Sequence, residues 1–505
     1  MLLYNIKTSQ IHPCYGTLMN MNEEKVRTRY APSPTGYQHV GNIRTGLFAW
    51  LVARHYGGKF ILRIEDTDKK REVSGAIEHL LKCLNTLGLE YDEGFNKSSE
   101  YGPYCQSGRL DIYKKWAHKL VESGRAYADP YTSNEVQEFR EAAQKAKRPF
   151  LYRNHRPTDP PSWDGTMPLR FKSAPKAHSW HDEVMGDLST GPEVVDDIIL
   201  IKSDGYPTYN FAHIVDDFEM EITHIIRGQE FLASVPNYLN IYEALNITPP
   251  IMATMPHIMN EQGNKKLSKR DGAKDVLDYI KEGFLPEALV SFIATLGWND
   301  GTTQEVFTQN ELIEKFSLSR VGKSGAQFDN RRLLWTNGYF IRELSIDELY
   351  EKVSDEKTHT YWPDSAANAT IIYKKQVLRL VQERLKYFAE LPELTHFFFE
   401  EPTIDMQLID SNKQLKKREY AELKELLNVT IASLKNIEPA DFNADIIQGA
   451  LNQLLEQTGE KPGTLFSIIR IATTWSAASP PLAESMAVLG QETVLQRLQS
   501  AYDSL

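Results

Sequence analysis

Cysteine is scarce, with Cys14, Cys83 and Cys105 the three in 505 residues. An odd number without close spacing excludes a disulfide scaffold and a cysteine-rich zinc cluster. No uninterrupted apolar run approaches the roughly 18 residues needed to span a bilayer. Residues 1–10 lack a basic stretch leading into a long apolar one, so no secretory signal is read there and a cytoplasmic location is expected. Cationic excess is lacking too. Lys plus Arg total 57 against 68 Asp plus Glu, a formal net charge of -11, which taken alone argues against a polyanionic partner. What is present is an ordinary globular composition, 41% hydrophobic and 25% charged, which excludes disorder as the main state. At about 150 residues per domain, the length predicts three or four folded units.

Residues 1–24 read as an extension ahead of the first domain, with Met19 and Met21 as alternative starts. From residue 26 the pattern becomes strand, turn, helix, strand. Residues 26–30 form a β-run, and the two prolines of Ala31-Pro32-Ser33-Pro34-Thr35-Gly36 force a turn at its carboxyl end. Ile43, Leu47, Trp50, Leu51 and Arg54 then recur at helical spacing up to Gly57-Gly58. Over 59–65, Phe60, Leu62 and Ile64 alternate with Ile61, Arg63 and Glu65 in a second strand. This βαβ unit predicts a parallel sheet with functional groups at the carboxyl ends of its strands. After a helix over 76–87, helices over 112–123 and 133–146 alternate with irregular Pro-rich segments such as 156–161, the mark of an insertion. The sheet is expected to resume with 197–202 and 222–227. Beyond about residue 285, helix-period segments cover 286–296, 372–391, 416–434, 445–456 and 492–501. The expected architecture is an α/β head with an α-helical tail.

Two segments carry phosphate chemistry. In Ser33-Pro34-Thr35-Gly36-Tyr37-Gln38-His39-Val40-Gly41-Asn42, a strand-to-helix turn offers backbone N–H groups and the positive end of a helix dipole. His39 can donate to phosphate oxygens there, and Gly41 lets a base approach the backbone. In Lys266-Leu267-Ser268-Lys269-Arg270, two lysines three apart form a cationic clamp for leaving pyrophosphate. Taken singly, the first is compatible with a structural turn and the second with a solvated basic loop. Together and in this order they resemble the paired nucleotide-binding motifs of class I aminoacyl-tRNA synthetases. Further segments narrow the match: Arg29-Tyr30-Ala31-Pro32-Ser33-Pro34-Thr35-Gly36, Leu62-Arg63-Ile64-Glu65-Asp66-Thr67-Asp68, Ser203-Asp204-Gly205-Tyr206-Pro207-Thr208-Tyr209-Asn210, Val215-Asp216-Asp217 and Ile226-Arg227-Gly228. With Ala478-Ser479-Pro480-Pro481-Leu482 and Met486-Ala487-Val488-Leu489-Gly490 near the end, the chain is similar to bacterial glutamyl-tRNA synthetases from about Val26 onward.

The resemblance implies a Rossmann-type parallel-sheet catalytic domain in two parts, 25–108 and 206–260, around an acceptor-end-binding α/β insertion over 109–205. It implies a stem-contact domain with the lysine loop over 261–345 and an all-α anticodon-binding region over 346–505. The activity it implies is ATP-dependent activation of L-glutamate to glutamyl-adenylate, then transfer to the 2′-hydroxyl of the terminal adenosine of tRNA(Glu). ATP brings Mg²⁺, no protein nucleophile is needed, bound tRNA completes the site, and a monomer without membrane attachment is expected.

Glutamate has two carboxylates and one ammonium, so its pocket needs cationic forks and an anion. Arg29 and Arg227, at strand ends, are the forks. Glu65 takes the ammonium, Tyr209 offers a phenol donor, and Ser33 a hydroxyl near the α-group. For ATP the resemblance points to His39, Gly41, Asn42, Glu230, Ile258, Met259 and Lys269, with Glu230 on the ribose and the backbone near Met259 on adenine. His39, Asn42, Lys266 and Lys269 form the catalytic set. Asn42 replaces a second histidine found in many relatives, so charge stabilisation rests more on His39 and the lysines.

Basic residues Arg140, Lys145, Lys147, Arg148, Arg153 and Arg156 of the insertion are expected to meet the acceptor end of tRNA. Arg384 aligns with an arginine that, in discriminating relatives, reads the third anticodon base. Some relatives hold zinc through cysteines and a histidine, but 125–156 has His155 and no cysteine, so no zinc is expected. His178-Ser179-Trp180-His181-Asp182 reads as a surface loop, and Asp216 and Asp217 as structural. Trp475 stands where relatives commonly have glycine, which singles out the backbone there. A helical tail opposes glutaminyl-tRNA synthetase, with its β-barrel anticodon domains, and its presence opposes the tail-less glutamyl-queuosine synthetase. An intact His39 and lysine loop oppose a non-catalytic tRNA-binding relative.

Overall fold

The computed structural model describes residues 26–267, 274–355, 360–476 and 479–505. The extension expected over 1–24, and Ser268, Lys269 and Arg270 of the basic loop, lie outside the described residues. The chain divides into two compact units, one of residues up to 273 with 293–328, the other of 274–292 with 329–505. Among the described residues no helix is long and apolar enough to cross a membrane.

The first unit is built on a seven-stranded sheet. Its strands are β1 (Arg27–Tyr30), β2 (Lys59–Leu62), β3 (Glu93–Gly94), β6 (His178–Asp182), β7 (Gly186–Thr190), β9 (His224–Gly228) and β10 (Ile251–Met255), in the order β3-β2-β1-β9-β10-β6-β7. All neighbours run parallel except the β6–β7 hairpin. β1 pairs β2 in the register Arg27↔Lys59 to Tyr30↔Leu62. The helix between them, α1 (Val40–His55), buries Ile43, Leu47, Phe48, Trp50, Leu51 and Val52, apolar on every side because it is covered on more than one face. Phe48 meets Phe316 edge-on at 5.1 Å, and Phe316 stacks on Trp298 at 5.4 Å.

A separate antiparallel sheet, in the order β4 (Ala126–Ala128), β5 (Leu169–Phe171), β8 (Ile199–Ile201), forms the insertion. This corrects the expectation that 197–202 resumes the main sheet. Leu169, Phe171, Leu200 and Ile201 instead share one apolar cluster with α5 (Tyr209–Glu219) and α6 (Val235–Leu245). The segment read as a surface loop, 178–182, is strand β6, paired with both β7 and β10. Its alternation buries His178 beside Asn240 and exposes His181, which pairs with Asp187 at 2.7 Å. Three residues apart on a strand, the two rings face opposite sides. Asp182 is committed to the N–H groups of Val184, Met185 and Thr254.

The second unit is helical around one core that includes Leu378, Phe388, Leu423, Leu451, Ile468 and Leu498. The single helix expected over 372–391 is broken. Ile371–Val381 ends, and a new helix starts at Leu391–Thr395 with Pro392 in its first turn. The break lets Gln382 satisfy the carbonyls of Ile341 and Leu344 and carries Phe388 into the core, where its N–H bonds Gly283 O at 3.3 Å. Helix Pro462–Thr474 ends on Trp475, whose φ of 41° and ψ of 41° are left-handed. A residue without Cβ takes that conformation at no cost, which is why the expectation of glycine at this position fits the backbone found here. Here the strain is borne by an indole buried to 6% exposure in the unit's core.

Candidate active site

The carboxyl ends of β1, β2 and β9 assemble the candidate site. Beyond β1 the turn is pinned by backbone bonds from Glu65 N–H to Pro32 O (3.1 Å) and from Val73 N–H to Pro34 O (2.9 Å). Inside it, Tyr30 donates to Gln38 at 2.7 Å. His39 is the N-cap of α1, and its Nδ1 accepts the Gly41 N–H at 3.1 Å. That bond requires Nδ1 to be unprotonated, so the neutral ring carries its proton on Nε2 and donates from there. A Cβ on Gly41 would lie 3.0 Å from His39 Cε1, so glycine is needed for the histidine to fold back, a reason different from access for a base. The first turn of α1 holds no acidic residue, which leaves the positive helix end undiluted. Ser33 and Asn42 are both exposed at this mouth.

Beneath lies a buried charge network. Arg29 Nε donates to Asp217 Oδ1 at 3.0 Å and Arg63 Nη1 to the same oxygen at 2.7 Å. Arg63 Nη2 reaches Glu65 at 3.0 Å. Asp216 accepts from Arg109 (2.7 Å), Gln106 (2.9 Å) and Tyr113 (2.9 Å). The two aspartates read as structural are thus the anchors of the arginines. Burial opposes the Asp217 charge, but Arg29 and Arg63 outweigh it and hold the carboxyl well below its usual range. At Glu65 burial prevails over the same arginines, and the carboxyl is pushed up to about 7.

Arg227 differs from its neighbours. It is 5% exposed, and its guanidinium lies 5.0 Å from the Tyr238 ring centroid and 5.9 Å from that of Phe231. Its Nη1 is buried without a hydrogen-bond partner. Tyr209, half-buried at the start of α5, stacks on Phe231 at 4.8 Å. Its phenol is raised by burial and by Glu65, while Arg227 and Arg29 oppose, which marks these four side chains as neighbours. The structure therefore brings together Arg29, Glu65, Tyr209 and Arg227. An unpaired donor in an aromatic wall has the chemistry of a carboxylate receptor. Sequence reasoning missed the wall itself, Phe231 and Tyr238, as well as Arg63. Arg63 stands two residues before Glu65, and the extended run that follows β2 brings both to one side, where Arg63 donates to Glu65.

A second group gathers around β11 (Ile258–Met259), which pairs with β12 (Ala326–Gln327). Glu230 is half-exposed, 3.5 Å from Lys266 Nζ and 3.8 Å from His257 Nδ1. Lys266 bridges opposite Met259. Ile258 O accepts from Leu267 N–H at 2.8 Å and Met259 O from Phe328 N–H at 2.9 Å. Arg44 of α1 donates to Pro256 O and, at 3.1 Å, to Leu296 O, tying this group to the helix that His39 caps. Burial brings the Arg44 guanidinium down to about 10, with Glu230 opposing.

In the insertion, His155 stacks on Phe139 at 4.2 Å and lies 5.8 Å from Phe150, an aromatic packing role. Arg153 and Arg156 of the expected acceptor-end patch are tied inward, Arg153 to Pro192 O at 2.8 Å and Arg156 to Asp197 at 2.6 Å. In the second unit, Arg384 is exposed on a cavity of about 660 Å³, lined also by Arg331, Trp335, Arg342, Glu383 and Lys386. It donates to Ser479 O, and Arg470 bonds the same turn at Ser479 Oγ (2.6 Å) and Pro480 O (2.6 Å).

A family model described as tRNA synthetases class I (E and Q), catalytic domain, matches residues 25–335, and an anticodon binding domain model matches 348–502. A glutamate–tRNA ligase of Dehalococcoides mccartyi (strain CBDB1) is 40% identical, covering 94% of this chain and 97% of that protein. One from Clostridium acetobutylicum is 37% identical, covering 96% and 100%. Among solved structures, a glutamate tRNA ligase from Elizabethkingia meningosepticum in complex with its amino acid superposes with a TM-score of 0.81 at 30% identity, covering 95% of this chain and 100% of that one. Parallel sheet, helical tail and full-length relatives agree: the chain belongs to the glutamate–tRNA ligases of the class I aminoacyl-tRNA synthetases.

Proposed function

We infer that this enzyme joins L-glutamate to tRNA(Glu) in two steps at the expense of ATP, as a cytoplasmic monomer. Arg29 and Arg227 hold the two carboxylates, Glu65 the ammonium, and Tyr209 and Ser33 add hydrogen bonds. The glutamate α-carboxylate attacks the ATP α-phosphorus, a C–O–P linkage forms, and the bond to the β-phosphate breaks to release pyrophosphate. The 2′-hydroxyl of the terminal adenosine then attacks the activated carbonyl and AMP leaves. No side chain acts as nucleophile, and alignment and positive charge lower the barrier. Mg²⁺ arriving with ATP shields phosphate charge. His39 Nε2–H, Asn42 and the first turn of α1 receive the phosphates, and Lys266 and Lys269 take the leaving group. Glu230 binds the ribose and the backbone of Ile258 and Met259 the adenine, with Gly41 keeping His39 in place. The segments 109–205 and 261–345 are read as acceptor-end and stem contacts, and Arg384 as the reader of the third anticodon base, which restricts charging to glutamate tRNA. Bound tRNA completes the first step.

The observation that carries this reading is Arg227: a buried guanidinium with an unpartnered Nη1 beside Arg29, Glu65 and Tyr209. The test is charging of purified glutamate and glutamine tRNAs with labelled glutamate. Glutamate tRNA alone is expected to be charged, and comparable charging of glutamine tRNA would overturn the discriminating role of Arg384. Pyrophosphate exchange at full rate without tRNA would refute the tRNA requirement.

A further inference from the structure

Helices α5 and α6 end in the same way. After α5, Glu221 takes a left-handed φ of 53° and the Ile222 N–H turns back to Asp217 O at 2.8 Å. After α6, Asn246 takes a φ of 54° and the Ile247 N–H turns back to Tyr242 O at 2.9 Å. Endings of this kind frequently set an apolar side chain against the returning residue. Here the two positions carry a carboxylate and a phenol instead. Asp217, Ile222, Tyr242 and Ile247 line one cavity of about 200 Å³, together with Phe218, Thr248 and Pro250. Phe218 and Thr248 are exposed and form its rim. None of the residues proposed above to hold glutamate or ATP lines it.

Asp217 Oδ1 is taken by Arg29 and Arg63, but Oδ2 is buried without a hydrogen-bond partner among the described residues, 3.8 Å from His213 Nδ1. Tyr242 is 1% exposed, and its Oη is equally unpartnered. Burial and then the Asp217 charge push the Tyr242 phenol up, so the two side chains are neighbours. Buried polar groups are seldom left unpaired, and two on one cavity ask for a ligand that pairs both. Charge narrows its chemistry. Asp217 repels an anion, and Arg29 and Arg63, which already neutralise Asp217, repel a further cation. One hydroxyl can both donate to Oδ2 and accept from Tyr242 Oη. Ile222, Ile247, Phe218 and Pro250 offer contact to an apolar body.

We propose that this cavity binds a small uncharged molecule with one hydroxyl on a compact apolar body, the hydroxyl donating to Asp217 Oδ2 and accepting from Tyr242 Oη.

Fluorine NMR of 4-fluorophenol titrated with the full chain tests it, with fluorobenzene as the same ring without the hydroxyl and 4-fluorobenzylamine as a charged one. Saturable line broadening is expected with 4-fluorophenol, and at least about tenfold weaker binding with the other two rings. Tyr242→Phe removes one partner and keeps the ring. It should weaken 4-fluorophenol about tenfold and leave fluorobenzene within about twofold. Thr248→Trp at the exposed rim should block every probe, and thermal melting checks that each variant is folded. Absence of saturable broadening with wild type overturns the proposal. So does equal affinity for the three rings, or a folded Thr248→Trp variant that still binds 4-fluorophenol. If Tyr242→Phe does not fold, the comparison of the rings on wild type and the Thr248→Trp result decide.

Discussion

Asp217→Asn is the most direct test of how the first unit balances its buried charge. Asp217 Oδ1 accepts from both Arg29 (3.0 Å) and Arg63 (2.7 Å), and the three side chains are 0–4% exposed. Removing one partner of a buried ion pair costs about 3–5 kcal/mol, because the remaining charge stays in low dielectric. Asn keeps the shape and one acceptor oxygen, and Asp216 (3.7 Å) and Glu65 (3.0 Å) remain beside Arg63. The expected loss is therefore at the low end, about 3 kcal/mol. At about 2–4 °C per kcal/mol for a unit of this size, the transition of the first unit falls by about 6–12 °C. Circular dichroism melts at pH 7 measure this, with Arg71→Ala as control. Arg71 pairs with Asp68 on the surface at 76% and 42% exposure, where solvent screens the pair and its removal should leave the melt unchanged.

The pH dependence carries its own sign. The folded pKa of Asp217 is depressed, so its contribution is complete above the unfolded carboxylate range and is lost as pH falls through the folded value. Acidification should therefore narrow the difference between wild type and Asp217→Asn. A variant that melts within about 2 °C of wild type at pH 7 would refute the assignment of Asp217 as the anchor.

Three more outcomes are expected. Glu65 is pushed up to about 7 by burial, so below that pH it carries a proton and cannot take an ammonium. KM for glutamate should rise toward about tenfold per pH unit on the acid side, and an identical pH profile in Glu65→Gln would contradict it. Gly41→Ala puts a Cβ 3.0 Å from His39 Cε1. Displacing the cap costs about 1 kcal/mol of stability, while kcat for charging should fall at least about tenfold; an unchanged kcat would separate His39 from the chemistry. Trp475→Gly relieves about 1–2 kcal/mol of left-handed strain but forfeits about 3–5 kcal/mol of indole packing, so denaturant titration should show a net loss of about 2 kcal/mol. A stabilised variant would show that the indole packs poorly.

The start of the fold was legible because its signals are local. Two prolines after a β-run, then helical spacing up to Gly57-Gly58, leave little alternative to strand, turn and helix for 26–65, and β1, α1 and β2 lie there. Arg29 and Arg227 could be placed at strand ends for the same reason. Segments decided by distant partners were not legible. The three residues of β8 carry no periodicity that says which sheet they join, and 178–182 becomes a strand through β7 and β10, the latter about seventy residues away. Helices α5 and α6 escaped notice because burial on several faces blurs their stripe. The site residues that motif reading could not supply are those acting through contact alone: Phe231 and Tyr238 meet Arg227 only in three dimensions.

The adjacency of β1 and β9 has a consequence for biogenesis. Arg29 is separated from Asp217 by 188 residues, and Arg63 by 154. At about 5–20 residues per second, the ribosome takes about 10–40 s to deliver the carboxylate that neutralises Arg29. Until then β1, α1 and β2 close only at a cost, since Arg29 and Arg63 would be buried with Glu65 as their single anion. The nascent amino-terminal segment must therefore wait in an open state, with the apolar faces of α1 exposed and the whole insertion made before the sheet can form. A truncated chain ending ahead of Asp217 should be held by chaperones rather than fold, because it lacks the carboxylate that Arg29 and Arg63 share.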